Sequence, residues 1–175
     1  SWGQYYPKNP PPKPKYQSGS SKLRVLTQNI YGVPVPGIDT SRWTDMGLAL
    51  RQMRTKKTAP NVVAIQEGFM DGANVIADIS GYPYVLKGAP ATSGKLSSGL
   101  IILSDVPLKN AKTLDYSRCT SWDCFARKGV VKVELDIPGA PYTLTLYNTH
   151  TNSDPDTDPG ADIEITRAVR LSQVQ

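Results

Sequence analysis

Asn61-Val62-Val63-Ala64-Ile65-Gln66-Glu67 is the stretch on which the fold turns. Pro60 breaks the helical pattern before it, and residues 61–66 then form a near-continuous apolar run of strand type. The run closes on a carboxylate, which is a costly place for one unless something pairs with it. A metal ion would be such a partner; a salt bridge or plain solvation is the alternative. Upstream, residues 23–29 read as a strand ending in Asn29, followed by a loop containing Gly32, Pro34, Pro36 and Gly37. Residues 41–57 read as a helix with Trp43, Met46, Leu50 and Met53 at three- and four-residue spacing. Downstream come a short helix near 69–79 and strands at 84–86, 99–103, 129–137 and 142–149. Val131, Val133, Leu135 and Ile137 alternate, as do Leu144 and Leu146. A last helix spans 161–175, with Ile165, Val169 and Leu171 as core contacts. The order β-α-β-α followed mostly by β predicts a mixed α/β sandwich without internal repeats.

Three of these strands end in a chemically capable side chain: Asn29, Glu67 and His150. Strand ends hold side chains rigidly while exposing them, so the three can share one cleft. Glutamate is a hard oxygen ligand suited to Mg²⁺, Asn can orient a phosphate, and His moves protons near neutral pH. Together they suggest metal-assisted phosphoryl chemistry. Singly each has a plainer reading: Asn29 as a turn residue, Glu67 in an ion pair, and His150, the only histidine, as a structural side chain.

At 175 residues, with 39% apolar and 20% charged side chains, the chain has the size and composition of one globular domain. No apolar run has the length of a transmembrane helix, so a membrane is touched only from outside. The net charge of +5 favours anionic partners, nucleic acid or acidic lipid, without deciding between them. Cys119 and Cys124 can close a small disulfide loop, which points to an oxidising compartment, or stand as two reduced thiols. Zinc would need two more ligands than these cysteines supply. The first residue is Ser and no signal peptide is visible, as in a processed mature chain.

Residues 1–21 stand apart. Trp2, Tyr5, Tyr6 and Tyr16 alternate with Lys8, Lys13 and Lys15 around Pro10-Pro11-Pro12. This composition predicts an extended, polyproline-like, solvated tail. It is either a linker without a binding role or a segment that rests on lipid headgroups. Asp154-Pro155-Asp156-Thr157-Asp158-Pro159-Gly160 resembles the start of a calcium loop, but its Gly is one position late and Ile165 stands where a closing Glu is needed. It reads better as a solvated acidic loop. Ser97-Ser98-Gly99 lacks the Walker spacing, and no Gly-x-Ser-x-Gly is present.

The ordered set Leu26-Thr27-Gln28-Asn29, Ile65-Gln66-Glu67, Ser98-Gly99-Leu100-Ile101-Ile102-Leu103-Ser104 and Asn148-Thr149-His150 resembles the endonuclease/exonuclease/phosphatase superfamily. Within it, Asp123-Cys124-Phe125-Ala126-Arg127-Lys128-Gly129-Val130-Val131 looks most like the secreted, neutral sphingomyelinase C branch, and Arg170 and Gln173 also suit the superfamily. The resemblance covers about residues 23–175. It implies a four-layer α-β-β-α sandwich of the deoxyribonuclease type, α/β or α+β in class. Glu67 would bind a catalytic Mg²⁺, and Asn29 would hold the phosphate or the water on the metal. His150 would stabilise the transition state or assist proton transfer, and Lys128 would contact substrate. The activity implied is hydrolysis of sphingomyelin to ceramide and phosphocholine at a phospholipid membrane surface, by a secreted protein with a Cys119–Cys124 disulfide. A secreted nuclease of the deoxyribonuclease type and a non-catalytic binding module of the same fold are the alternatives. The superfamily's later motifs, an Asp-x-Asn and a Ser-Asp-His with a second histidine, have no counterpart here. Residues 22–175 are therefore expected to be the amino-terminal portion of a metal-dependent phosphodiesterase domain, with little activity alone and an unpaired apolar sheet face.

Overall fold

The computed structural model describes residues 4–5, 22–137, 139–154 and 162–175. Among them the elements run β1 (Gln4–Tyr5), β2 (Val25–Asn29), α1 (Ser41–Thr55), β3 (Val62–Gln66), α2 (Gly72–Ser80), β4 (Tyr84–Lys87), β5 (Ile101–Ser104) and β6 (Leu108–Asp115). A 3₁₀ turn at Ser121–Phe125, β7 (Gly129–Leu135), β8 (Leu144–Thr149) and α3 (Ile163–Val174) complete them. One sheet has the order β1-β4-β5-β3-β2 and a second the order β6-β7-β8. Strands β2 and β3 are parallel, a pairing that needs a crossover, and α1 supplies it. Every other pairing between the described strands is antiparallel.

The alternation along β3 builds the layers. Val63 and Ile65 face one way, into a cluster with Trp43, Leu50, Ala73 and Ile76 of the two helices. Val62 faces the other way, into a cluster with Ile102, Val131, Val133 and Leu135. Strand β5 splits likewise, Ile101 and Leu103 toward the helices and Leu100 and Ile102 toward the second sheet. The core therefore has two slabs, one under α1 and α2 and one between the sheets, giving an α-β-β stack. Gln66 is in phase with Val62, so the last residue of β3 is directed at the second sheet. The outer face of that sheet keeps Leu114 and Tyr147 exposed. The α/β sandwich read from the sequence is the architecture found.

Several details differ from the sequence reading. Strand β6 was not legible, because a bulge between Lys109 and Lys112 breaks its alternation. Asn110 takes φ 51° there, so Leu108 points inward on one phase and Ala111 and Thr113 on the next. In α3 only Val169 of the three expected core residues is buried; Ile165 and Leu171 are exposed. Met53 is likewise exposed at the edge of α1. Gln4 and Tyr5 pair with Leu86 and Val85 and so extend the first sheet. The remainder of the 1–21 segment, and residues 155–160 of the acidic stretch, lie outside the described residues.

Candidate active site

Asn29 ends β2 opposite Gln66, the last residue of β3, so Asn29 and Glu67 stand beside each other at the same edge of the parallel pair. Asn29 is exposed, and its Oδ1 accepts from the Tyr31 N–H at 2.9 Å, the turn that Asn commonly makes at a strand end. Glu67 has φ 56°, in the left-handed region that costs a non-glycine residue strain. The Gly32 N–H donates to its carbonyl oxygen at 2.8 Å. A Cβ on Gly32 would lie 2.6 Å from that oxygen, so the β2–α1 loop closes over Glu67 only with glycine there.

The second sheet delivers the rest. His150 follows β8, and its Nε2 lies 3.4 Å from Glu67 Oε1. The other oxygen, Glu67 Oε2, is buried and has no hydrogen-bond partner. On the opposite side of the ring, Lys128 Nζ is 2.8 Å from His150 Nδ1 and 2.7 Å from Asp123 Oδ1. It also donates to the Thr151 carbonyl. Lys128 is only 5% exposed. Burial pulls its pKa below the ordinary lysine value, against the pull of Asp123 in the other direction. Burial alone would raise the Asp123 carboxyl, but hydrogen bonds from Lys128 and the Ser153 N–H outweigh it and hold the pKa low. An ammonium has donors only, so His150 Nδ1 must accept from it, and the ring proton of neutral His150 sits on Nε2. Burial and the Lys128 charge together lower the His150 pKa, which favours that neutral form. The result is a chain Asp123–Lys128–His150–Glu67 whose last two members are half-buried and face each other. Beside Gly68 a cavity of about 310 Å³ opens, lined in part by Met70, Asp71, Asn74 and Lys87.

The structure brings Glu67, His150 and Lys128 together and places Asn29 at the neighbouring strand end. It adds three groups whose part sequence reasoning missed. Asn148 is 2% exposed and crosses the gap between the sheets. Its Nδ2 donates to the carbonyls of Ile65 and Ile101, and its Oδ1 accepts from Gln66 Nε2 at 2.7 Å. Gln66 in turn reaches Thr27. Asp123 is the third, and its place five residues before Lys128 was the available signal. Cys119 and Cys124 are joined by a disulfide that brackets Asp123. Asn152 and Thr120 exchange two hydrogen bonds, and Gln173 of α3 accepts from the Asn152 N–H while donating to the Arg118 carbonyl. The segment after His150 is thus fastened to the disulfide turn.

Among the described residues no three His, Cys, Asp or Glu side chains surround a common point. Glu67 with its unpartnered buried oxygen still fits one hard cation, because Mg²⁺ takes few protein carboxylates and keeps several waters. No described helix is long and apolar enough to cross a membrane.

No family model matches the sequence. Nor does any curated protein. Solved structures do. Sphingomyelinase C from Streptomyces griseocarneus superposes with a TM-score of 0.62 at 20% identity, covering 88% of this chain and 56% of that one. A beta-toxin variant from Staphylococcus aureus with bound magnesium ions gives 0.63 at 17% identity, covering 86% and 57%. An endonuclease/exonuclease/phosphatase family protein from Leptotrichia buccalis gives 0.53 at 16% identity, covering 88% and 62%. The chain thus spans a little over half the length of these proteins. At such identities the likeness is one of fold, and the fold is that of the endonuclease/exonuclease/phosphatase proteins to which the strand-end motifs pointed.

Proposed function

We propose that residues 22–175 are the amino-terminal portion of a Mg²⁺-dependent phosphodiesterase that hydrolyses sphingomyelin to ceramide and phosphocholine outside the cell. The carrying observation is Glu67, a carboxylate in a strained conformation with one oxygen buried and unpartnered and the other facing an oriented imidazole. Burying a carboxylate oxygen without a donor or cation is expensive, and a bound ion removes that cost. Glu67 would hold the ion, with Asn29 beside it. A divalent ion supplies charge neutralisation at phosphoryl oxygens and a lowered pKa for an attacking water.

The chain's own groups account for the remaining chemistry. The Nε2–H of His150, which faces Glu67 Oε1 at 3.4 Å, would donate to an oxygen that gains charge during in-line displacement. Lys128 and Asp123 hold the ring in that tautomer, so the donor needs no reorganisation when substrate arrives. The Asn29 amide can orient a phosphoryl oxygen. The likeness to sphingomyelinase C and the Lys128-Gly129 segment favour the lipid substrate; the disulfide suits an oxidising compartment. The net charge of +5 favours a second reading, a nuclease of the same fold.

In the metal-free protein Glu67→Gln should leave the melting temperature close to native, because the substitution conserves shape and removes a carboxylate whose Oε2 is buried without a partner. Mg²⁺ should then raise the native protein's melting temperature with concentration and leave Glu67→Gln unmoved. Phosphocholine release from sphingomyelin vesicles, weak in this chain alone, should vanish in Glu67→Gln. Plasmid nicking without phosphocholine release would transfer the site to the nuclease reading. A melting temperature indifferent to Mg²⁺, with neither activity, would leave a binding module.

A further inference from the structure

The 3₁₀ turn Ser121–Phe125 separates its side chains sharply. Asp123 points inward to Lys128, and Cys124 inward to Cys119. Trp122 and Phe125 point outward, 74% and 57% exposed, with ring centroids 5.6 Å apart. Two large aromatic side chains displayed together on one short turn are unusual for a surface without a partner.

The turn is also braced from every side. The disulfide closes it, Asn152 clamps Thr120, and the Leu96 N–H donates to the Phe125 carbonyl at 2.7 Å. The rings are therefore presented on a rigid base, which lowers the ordering cost of burying them in something else. Their base is the active site's own scaffold, because Asp123 holds the lysine that orients His150. Two exposed cations sit on the same base: Arg118 precedes the disulfide, and Lys95 adjoins Leu96, whose N–H meets the Phe125 carbonyl.

We infer that this disulfide-closed turn is a lipid-docking tip, with Trp122 and Phe125 entering the headgroup layer of an anionic membrane surface beside the catalytic cleft. The inference rests on the lipid-phosphodiester reading and adds the surface by which the chain would meet its substrate. Trp and Phe suit the boundary between headgroups and acyl chains, and neighbouring cations suit acidic headgroups. A tip rooted in the Asp123–Lys128–His150 chain would bring the headgroup plane to the cleft mouth. Bases of single-stranded nucleic acid also stack on exposed aromatics, and that is the competing outcome.

The test reads the change in Trp emission in a Trp2→Phe background, where Trp43, buried and donating to the Ile30 carbonyl, contributes a constant signal and Trp122 the part that responds. Vesicles of phosphatidylcholine and phosphatidylserine should shift the emission to the blue, and brominated lipid should quench it. Trp122→Ala, followed by sedimentation with vesicles, and Phe125→Ala should each weaken partition about tenfold. Both residues lie on the surface, so near-native circular dichroism should accompany the loss. Unchanged partition in both variants, or an emission change with single-stranded DNA and none with vesicles, overturns the docking tip. The function reading fails separately. Vesicle partition without Glu67-dependent phosphocholine release sinks the hydrolase and leaves the tip. Glu67-dependent release from detergent-dispersed sphingomyelin alongside Trp122-independent partition sinks the tip and leaves the hydrolase.

Discussion

Lys128 shows how much one buried side chain organises. Its ammonium is shared by Asp123, His150 and the Thr151 carbonyl, so removing it strands a carboxylate and frees an imidazole at the same time. Breaking one partner from a buried ion pair costs about 3–5 kcal/mol, whereas removing both costs much less. Lys128→Met should therefore destabilise the protein by roughly that amount, and Asp123→Asn added to it should restore most of the loss; denaturant titration of the four-member cycle measures the coupling. If the double variant were as unstable as the sum of its parts, the two groups would not be a pair. The same cluster sets a pH response. His150 has a folded pKa below its ordinary 6.5, so the unfolded chain binds its proton first. Stability should fall as pH drops below about 6.5 and level off once the folded protein is protonated too. Asp123, held below its ordinary 3.8, adds a second loss in the acid range beneath that value. The upper slope should be absent from His150→Gln, measured by chemical denaturation across pH.

Among the elements, those with an unbroken period were legible and those with a broken one were not. Strand β3 and the inward residues of β7 could be read directly because a two-residue alternation is uninterrupted in β7 and burial is complete in β3. Strand β6 carries the same chemistry but changes phase at Asn110, so its apolar residues fall at 108, 111 and 114, a three-residue spacing that hides the two-residue period of a strand. In α3 the apolar residues Ile165 and Leu171 suggested a buried stripe, while the residues that face inward are Val169 and the polar Thr166 and Gln173. The disulfide turn is the element whose contribution is most easily measured. Its closed loop spans a sequence separation of 5, and a loop that short stabilises by about 2 kcal/mol in the chain-entropy picture. Replacing both cysteines by serine should lower the melting temperature by about 4–8 °C. It should also loosen Asp123, seen as faster amide exchange at Ser153, whose N–H donates to the Asp123 carboxylate. A melting temperature unchanged on reduction would mean that the Asn152 and Leu96 clasps hold the turn by themselves.

At the scale of the whole molecule the site exists only because two sheets meet in one register, and that was the least legible feature of the chain. The sequence marks Glu67 and His150 as strand ends, yet nothing local says that strands 82 residues apart in their key contact lie face to face. Asn148 fixes that meeting. It is buried between hydrophobic layers, and its amide spends both ends on the first sheet, donating to the Ile65 and Ile101 carbonyls and accepting from Gln66. An amide in that position is costly to bury but tolerates only one alignment of the sheets, since a slip would leave its own groups and those carbonyls unpaired. His150 lies two residues further along and inherits the alignment, which sets its approach to Glu67. Asn148→Ala should therefore destabilise the protein by about 3 kcal/mol through the carbonyls and the Gln66 amide left without it. Asn148→Asp should cost more although it conserves volume, because a carboxylate offers no donor to either carbonyl and brings a charge into the slab. The alignment itself predicts a second effect that a loss of packing would not produce. In Asn148→Ala, at temperatures where the protein is still folded, the His150 ring resonances should shift and the Mg²⁺-induced stabilisation at Glu67 should shrink. A folded Asn148→Ala with native His150 resonances and a native Mg²⁺ response would show that the apolar slab alone sets the register.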